Sequence, residues 1–157
     1  MSNLQIANLL FNIATILDQA QDNIYRVRAY RHAARRILAL PEPAQAILGR
    51  GEELPLPGVG VRVRRTLAEL IATGRLGFYE DLLEDQPQHV RSLIRIEGIG
   101  PRIAARLYQD LGITTPEGVL AAAQVGAIRA LYGFGERREA NLAYAASLAA
   151  GSLSSVA

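Results

Sequence analysis

The chain has 157 residues, half of them hydrophobic, and a formal net charge of only +2. It has no cysteine and two histidines, which excludes disulfide frameworks, thiolate catalysis and cysteine-ligated zinc and leaves too few ligands for a histidine-based metal site. No stretch approaches a membrane span in length and none has the pattern of a secretory signal, so we expect one or two small cytoplasmic domains, each with its own core.

The first two predicted helices are amphipathic and follow one another closely. Residues 3–20 carry apolar side chains at helical spacing, which predicts a helix with a broad buried face. Asp22 or Asn23 can cap a second helix over residues 24–40, which must end before Pro41.

Basic side chains are concentrated on this second helix and in the region after it. Residues 24–66 contain nine arginines and three acids, a net +6, whereas residues 67–97 contain three arginines and six acids, a net −3. Arg26 and Tyr30 lie one turn apart at the edge of the apolar face of the second helix. Two interpretations are open here: the pair binds an anion, or Arg26 is solvated and Tyr30 is ordinary core.

The middle of the chain predicts short elements and a domain boundary. Residues 44–48 form a short helix, and a later helix runs to Thr73. Residues 78–84 are acidic and predict a short helix that serves as a solvated connector. We therefore expect a first domain over residues 1–85 and a second over residues 86–157.

In the second half, glycine, proline and threonine mark the helix ends. Gly98 is free to adopt positive φ and is predicted to end the helix before it. Pro101 suits the first position of the next helix. Thr115 begins a further helix over residues 116–124, and the last helix is predicted over residues 136–150.

One sequence pattern occurs three times. The segments read G-V-G-V-R-V-R-R-T-L from Gly58, G-I-G-P-R-I-A-A-R-L from Gly98 and G-F-G-E-R-R-E-A-N-L from Gly133. Each has arginine four residues and leucine nine residues after the first glycine, and the spacings of 40 and 35 residues fit one supersecondary unit per repeat. A G-x-G turn before a helix presents unpaired N–H groups and a partial positive charge, which together favour phosphate binding.

These segments are predicted to be helix-hairpin-helix motifs, which hold the DNA backbone without reading its sequence. In the third motif Glu136 and Glu139 flank Arg137 and Arg138, so a structural role in closing the domain is as good an interpretation there as DNA binding. The predicted DNA contacts are the turn glycines and the arginines that follow them: Gly58, Gly60, Arg62, Arg64, Arg65, Gly98, Gly100, Arg102, Arg106, Gly133, Gly135 and Arg137.

The order of the motifs resembles the N-terminal region of X-family DNA polymerases, which include DNA polymerase beta and bacterial enzymes. The resemblance covers residues 3–148. It implies a small lyase-like domain that holds the 5′-phosphate side of a gap, followed by a DNA-binding subdomain. It rests on Y-R-V-R-A-Y-R-H-A-A from Tyr25, L-P-L-P-G-V-G from Leu54, A-T-G-R-L from Ala72, I-E-G-I-G-P-R-I-A from Ile96, L-G-I-T-T from Leu111 and the final G-F-G.

The resemblance also implies two kinds of site. Arg26, Tyr30 and Arg62 match a pocket for a 5′-phosphate. Six backbone carbonyls match places where a monovalent cation, Na⁺ or K⁺, bridges hairpin and DNA; they belong to Leu54, Leu56 and Val59 in the first hairpin and to Ile94, Ile96 and Ile99 in the second. No other cofactor is expected, and the implied partners are DNA and other repair proteins.

Two departures from the family bear on catalysis. The family's lyase forms a Schiff base through a lysine, and the matching position here is Thr66. All 17 basic side chains of this chain are arginine, and a guanidinium cannot replace the amine. The chain also ends 15 residues after Leu142, so the polymerase palm and its metal-binding carboxylates are not expected.

We therefore predict an all-α protein of two helical subdomains that binds gapped, nicked or 5′-phosphorylated DNA without catalysis. Three alternatives remain open: the N-terminal piece of a longer X-family polymerase, a protein-interaction module that has lost DNA binding, and a residual end-processing enzyme.

Overall fold

The structure, a computed structural model, describes residues 1–154, which form nine α-helices and no strand. The predicted all-α fold is confirmed. The chain divides into two compact units, Met1–Glu84 and the residues from Asp85 onward. None of the helices in the described part of the chain is both long enough and apolar enough to cross a membrane. The helices are α1 Asn3–Gln19, α2 Ile24–Leu38, α3 Ala44–Gly49, α4 Val61–Thr73, α5 Gly77–Glu84, α6 Gln88–Leu93, α7 Pro101–Leu111, α8 Pro116–Gln124 and α9 Glu136–Ser154.

The first unit is built on the pairing of α1 with α2. Ser2 begins α1 with a capping box, in which its hydroxyl accepts from the N–H of Gln5 at 3.1 Å and the Gln5 side chain accepts from the N–H of Ser2 at 2.8 Å. Asn23 caps α2, which ends at Leu38, two residues before the predicted end. The largest fully buried side chains of this unit are Ile6, Leu10, Ile13, Val27, Ile37, Leu56, Leu67 and Leu70.

Helix α5 packs against the core of the first unit, so its prediction as a solvated connector was wrong. Phe78, Tyr79 and Leu82 are partly buried against that core. The Tyr79 hydroxyl accepts a hydrogen bond from the Asn12 side chain of α1 at 3.2 Å. Glu80 and Asp81 lie between these apolar positions in the sequence, and the acidic composition of α5 concealed its partly buried face.

The second unit has its own core around α6–α9. Leu93, Ile96, Leu107 and Ile128 are almost completely buried in it. Helix α9 was predicted to end at residue 150 but continues through Gly151 to Ser154, because an interior glycine costs a helix only about 1 kcal/mol and does not forbid it.

Candidate nucleic-acid interface

The three G-x-G segments have the same backbone turn. Gly58, Gly98 and Gly133 have φ of +78°, +89° and +84°, a region that only glycine enters easily. Gly98 had been predicted to end the preceding helix, but α6 already ends at Leu93, and the positive φ belongs to the turn. The same turn hydrogen bond follows in each hairpin: Val59 N–H to Leu56 O at 3.2 Å, Ile99 N–H to Ile96 O at 3.0 Å, and Phe134 N–H to Leu131 O at 3.1 Å.

Each turn leads directly into a helix through its second glycine. The carbonyls of Gly60, Gly100 and Gly135 accept the first backbone hydrogen bonds of α4, α7 and α9, at 3.0, 2.9 and 2.9 Å. The N–H groups in the first turn of a helix have no partner within that helix. In α7 the first residue, Pro101, has no N–H group, so the donors of this helix come from the residues after it. All three hairpins thus present donors and a partial positive charge to an anion.

Buried side chains on both sides of each turn hold the hairpins in place. The middle residue of each G-x-G is buried, and so is the leucine nine residues after the first glycine. The first hairpin has an additional support from α2, where Nε2 of His32 lies 2.9 Å from the carbonyl oxygen of Pro57. The buried residues are Val59, Ile99 and Phe134 in the turns and Leu67, Leu107 and Leu142 in the helices.

Arg64, predicted as a DNA contact, donates to backbone carbonyls of its own hairpin. Its Nε donates to Val59 O at 3.0 Å, and its two terminal nitrogens donate to Leu54 O at 3.1 Å and Leu56 O at 2.7 Å. These three carbonyls are those that the family resemblance assigns to a monovalent cation. Because the Arg64 guanidinium already donates to all three oxygens, the first hairpin does not fit a resident metal ion at them.

The second hairpin differs at this point. The residue that matches Arg64, six positions after the first glycine, is Ala104, which is buried and has no side-chain donor. The carbonyls of Ile94, Ile96 and Ile99 are oxygen ligands of the type that alkali cations take. The second hairpin therefore lacks the side-chain cation that Arg64 supplies to the first hairpin at this position.

The three predicted 5′-phosphate residues line one cavity of about 450 Å³ in the first unit. Arg26, Tyr30 and Arg62 share it with Arg65 and Phe78, and we call it the arginine cavity. The Arg26 guanidinium lies 4.7 Å from the centre of the Phe78 ring, and Tyr30 stacks on that ring with centroids 6.3 Å apart. Tyr30 is thus both a core residue, only 6% exposed, and part of the cavity wall.

The arginines of the arginine cavity differ in whether they form an ion pair with an acid. Arg26 forms a long ion pair with Asp22, at 3.4 Å. Arg62 and Arg65 are exposed, and in the described part of the chain neither forms an ion pair with an acid. Thr66 also lines the cavity, where its hydroxyl donates to the carbonyl of Arg62 at 3.1 Å.

Phe78 and Arg65 were not predicted as members of this cavity. Phe78 had been assigned to the connector, although Leu76, Phe78, Tyr79 and Leu82 together form an apolar pattern from which a buried face could have been predicted. Arg65 was predicted to contact DNA but not to line the 5′-phosphate site.

The predicted arginines of the second unit are not equivalent. Arg102 and Arg137 are exposed at the starts of α7 and α9. Arg106 is partly buried; it pairs with Asp110 at 3.4 Å, and its guanidinium lies 5.1 Å from the centre of the Phe134 ring in the third hairpin. Arg106 thus connects the second and third hairpins, and its charge is partly engaged.

The third hairpin is closed by a buried carboxylate. Glu139 is 5% exposed and accepts from the backbone N–H of Arg129 at 2.7 Å. Its other oxygen lies 3.1 Å from Nε of the same arginine. Arg138 packs over the Phe134 ring at 4.5 Å rather than extending freely. These contacts favour the structural interpretation of the third hairpin.

Comparisons with known proteins agree with this geometry. Residues 1–76 match the family described as a helix-hairpin-helix domain, and residues 90–146 match a SAM-like helix-hairpin-helix tandem. The chain is also 28% identical over 139 residues to the DNA polymerase/3′-5′ exonuclease PolX of Bacillus subtilis (strain 168). That match covers 88% of this chain but 24% of PolX, so the chain spans about a quarter of its relative's length. The predicted resemblance to the N-terminal region of X-family polymerases is confirmed.

Proposed function

We propose that this helix-hairpin-helix protein, similar to the N-terminal region of an X-family DNA polymerase, binds the DNA backbone at gaps, nicks or 5′-phosphate ends. The observation that carries the proposal is the arginine cavity, which brings Arg26, Tyr30 and Arg62 together. A terminal phosphate carries more negative charge than a diester, and guanidinium groups and a phenol can give it charge-assisted hydrogen bonds. Such a site distinguishes a strand end from continuous backbone.

The hairpins supply the second part of the proposal, which is binding without sequence preference. Their donors are backbone N–H groups at helix starts, together with exposed arginines such as Arg62 and Arg102. Contacts of this kind reach phosphate oxygens and carry no sequence information. In the second hairpin, a Na⁺ or K⁺ ion held by the carbonyls of Ile94, Ile96 and Ile99 would add a positive charge beside a phosphate.

Binding at the arginine cavity is proposed to be non-catalytic. Thr66 stands where the family has its Schiff-base lysine, and its hydroxyl is hydrogen-bonded to the Arg62 carbonyl. A hydroxyl and guanidinium groups cannot form the imine that cleaves an abasic site. Incubation with a 5′-deoxyribose phosphate substrate and borohydride should therefore trap no adduct, and an adduct that survives blocking of the α-amino group would contradict this.

The 5′-end preference is tested with gapped duplexes that differ only in the 5′-phosphate, at one salt concentration. Removing the phosphate should weaken wild-type binding about 5- to 30-fold, which corresponds to about 1 to 2 kcal/mol. Arg62→Ala should lose most of this preference. Arg26→Ala should lose a smaller part, because the charge of Arg26 is already partly balanced by its ion pair with Asp22.

Arg28→Ala is the matched control. Arg28 is exposed on α2 and does not line the cavity, so this substitution removes one positive charge outside the site. It should bind both duplexes more weakly and keep the preference. Equal wild-type affinity for the two duplexes would reject the 5′-phosphate site and leave backbone binding intact.

A second candidate is that the chain is the DNA-holding segment of a longer polymerase. The observation in favour is that nearly all of this chain matches about a quarter of PolX. The gene sequence beyond the codon for Ala157 decides between the two, because a polymerase would continue into an Asp-x-Asp motif.

A further inference from the structure

We infer that Arg64 is a built-in cation of the first hairpin, which lets this hairpin hold a DNA phosphate without a monovalent metal ion. The inference rests on the proposed DNA binding and adds the identity of the charge that serves this hairpin. It sets the first hairpin apart from the carbonyl-bound cation that the family resemblance implies.

The contacts of Arg64 replace those of a metal ion one for one. Three nitrogens donate to Leu54 O, Leu56 O and Val59 O, between 2.7 and 3.1 Å. Carbonyl oxygens grouped around one side chain suit a cation, and a guanidinium is a planar cation with five N–H donors. Three of the five are used on the carbonyls, so two remain for a phosphate oxygen.

Arg64 is also fixed more firmly than the other arginines of α4. It is partly buried, whereas Arg62 and Arg65 are exposed. Its three hydrogen bonds run to a turn that is itself closed by the Val59 N–H to Leu56 O bond. A charge held in advance loses little side-chain entropy when the phosphate binds.

The matching positions show that this arrangement depends on one side chain. In all three hairpins the residue six positions after the first glycine donates its N–H to the carbonyl of the second glycine, so its place in the backbone is the same. Arg64 presents a cation to the turn, Ala104 presents a methyl group, and Glu139 presents a carboxylate that accepts from Arg129. At this position the side chain is therefore cationic in the first hairpin, neutral in the second and anionic in the third.

A fixed guanidinium excludes an exchangeable cation from the same carbonyls. It already donates to all three oxygens, and a second positive charge beside it would be repelled at such short range. The first hairpin should therefore be indifferent to which monovalent cation is in solution, although its phosphate contact still responds to ionic strength.

The test measures affinity for intact duplex DNA in potassium chloride and in N-methyl-D-glucamine chloride at equal ionic strength. The organic cation is too large to sit among the three carbonyls, so the ratio of the two dissociation constants reports bound K⁺. Intact duplex keeps the 5′-end preference out of the measurement. The variants are Arg64→Ala, which opens the carbonyls to solvent cations, and Arg64→Lys, which keeps a charge there.

Arg64→Ala should lose about 10-fold in affinity when only the organic cation is present, as expected for one charge-assisted contact, and should recover most of it in K⁺. Its ion ratio should exceed the wild-type ratio about fivefold. Arg64→Lys and the charge-matched control Arg28→Ala should keep the wild-type ratio. If circular dichroism shows that Arg64→Ala is unfolded, the more conservative Arg64→Gln takes its place in the same comparison.

An unchanged ion ratio in the folded neutral variant overturns the inference while leaving the proposed DNA binding in place. A wild-type protein that binds intact duplex DNA in neither salt overturns the proposed backbone binding by the hairpins, and the inference with it. The two failures are therefore distinguished by the wild-type measurement alone.

Discussion

Replacing Gly58 with alanine tests how closely the first hairpin is held against α2. Gly58 has φ of +78°, and a β-carbon built on it would lie 2.8 Å from Nε2 of His32. That ring nitrogen is also 2.9 Å from the carbonyl oxygen of Pro57. Alanine would therefore be placed in a left-handed conformation and would also push His32 away from its hydrogen-bond partner.

The two effects can be given separate magnitudes. The left-handed conformation should cost about 1 kcal/mol net, since a smaller unfolded-state entropy offsets part of the strain. Loss of the His32 hydrogen bond should cost about 1 kcal/mol more. Gly74→Ala isolates the first effect, because Gly74 has φ of +71° and no neighbouring heavy atom within 4 Å of an added β-carbon. Gly58→Ala should thus cost about twice as much as Gly74→Ala.

A double-mutant cycle with His32→Ala separates the contact from the backbone effect. His32→Ala alone should cost about 1 kcal/mol, and in the Gly58→Ala background it should cost almost nothing, a coupling of about 1 kcal/mol. Native-state hydrogen exchange of the α4 amides gives the free energy of opening for the first unit, independent of the second. The reasoning is wrong if the two glycine variants are equally destabilised, or if the cycle is additive.

Three further outcomes are expected. Burial raises the pKa of Tyr79, so this phenol ionises in the unfolded chain at a lower pH than in the folded one. The stability of the first unit should therefore fall by up to about 1.4 kcal/mol per pH unit above pH about 10. Tyr79→Phe should remove this pH dependence, whereas Tyr132→Phe, at a 92% exposed position, should leave it unchanged. Glu139→Gln should destabilise the second unit by about 1 to 3 kcal/mol in urea unfolding, because it removes the charge that holds Arg129, and a change below 0.5 kcal/mol would contradict the closing role. Duplex affinity should fall with salt at a logarithmic slope of about −3 to −4 for about four phosphate contacts, and Arg102→Ala should flatten the slope by about one unit for every DNA sequence; a salt-insensitive affinity would exclude backbone binding.

The backbone of the hairpins was the most predictable part of the molecule. The positive φ of Gly58, Gly98 and Gly133 and the helix start at Pro101 follow from steric limits that act within a few residues. The leucine nine residues after each first glycine is buried for a similar reason, because it repeats the apolar face of a helix. The trio of Arg26, Tyr30 and Arg62 came from the family resemblance, since α2 and α4 are too far apart in sequence for spacing alone to bring them together.

The contacts that the arginine side chains make were not predictable in the same way. Arg62, Arg64 and Arg65 are neighbours on one helix, yet only Arg64 turns back to the carbonyls of its own hairpin. A long side chain can reach either solvent or backbone, and sequence spacing does not decide between them. Arg106 shows the same limit, because its partner ring, Phe134, belongs to a hairpin that lies 28 residues further along the chain.

The docking of α5 has a consequence for the order of folding. The hydrogen bond between Asn12 and Tyr79 joins residues 67 positions apart, whereas the bonds of Arg64 to its hairpin join residues 5 to 10 positions apart. Short loops close early and at little entropic cost, and remote contacts form later. The first hairpin should therefore form before α5 packs against the core and brings Phe78 into the cavity wall. The Phe78 side of the arginine cavity should then form late and open early by local unfolding of α5, so that a ligand bound there would slow the release of α5.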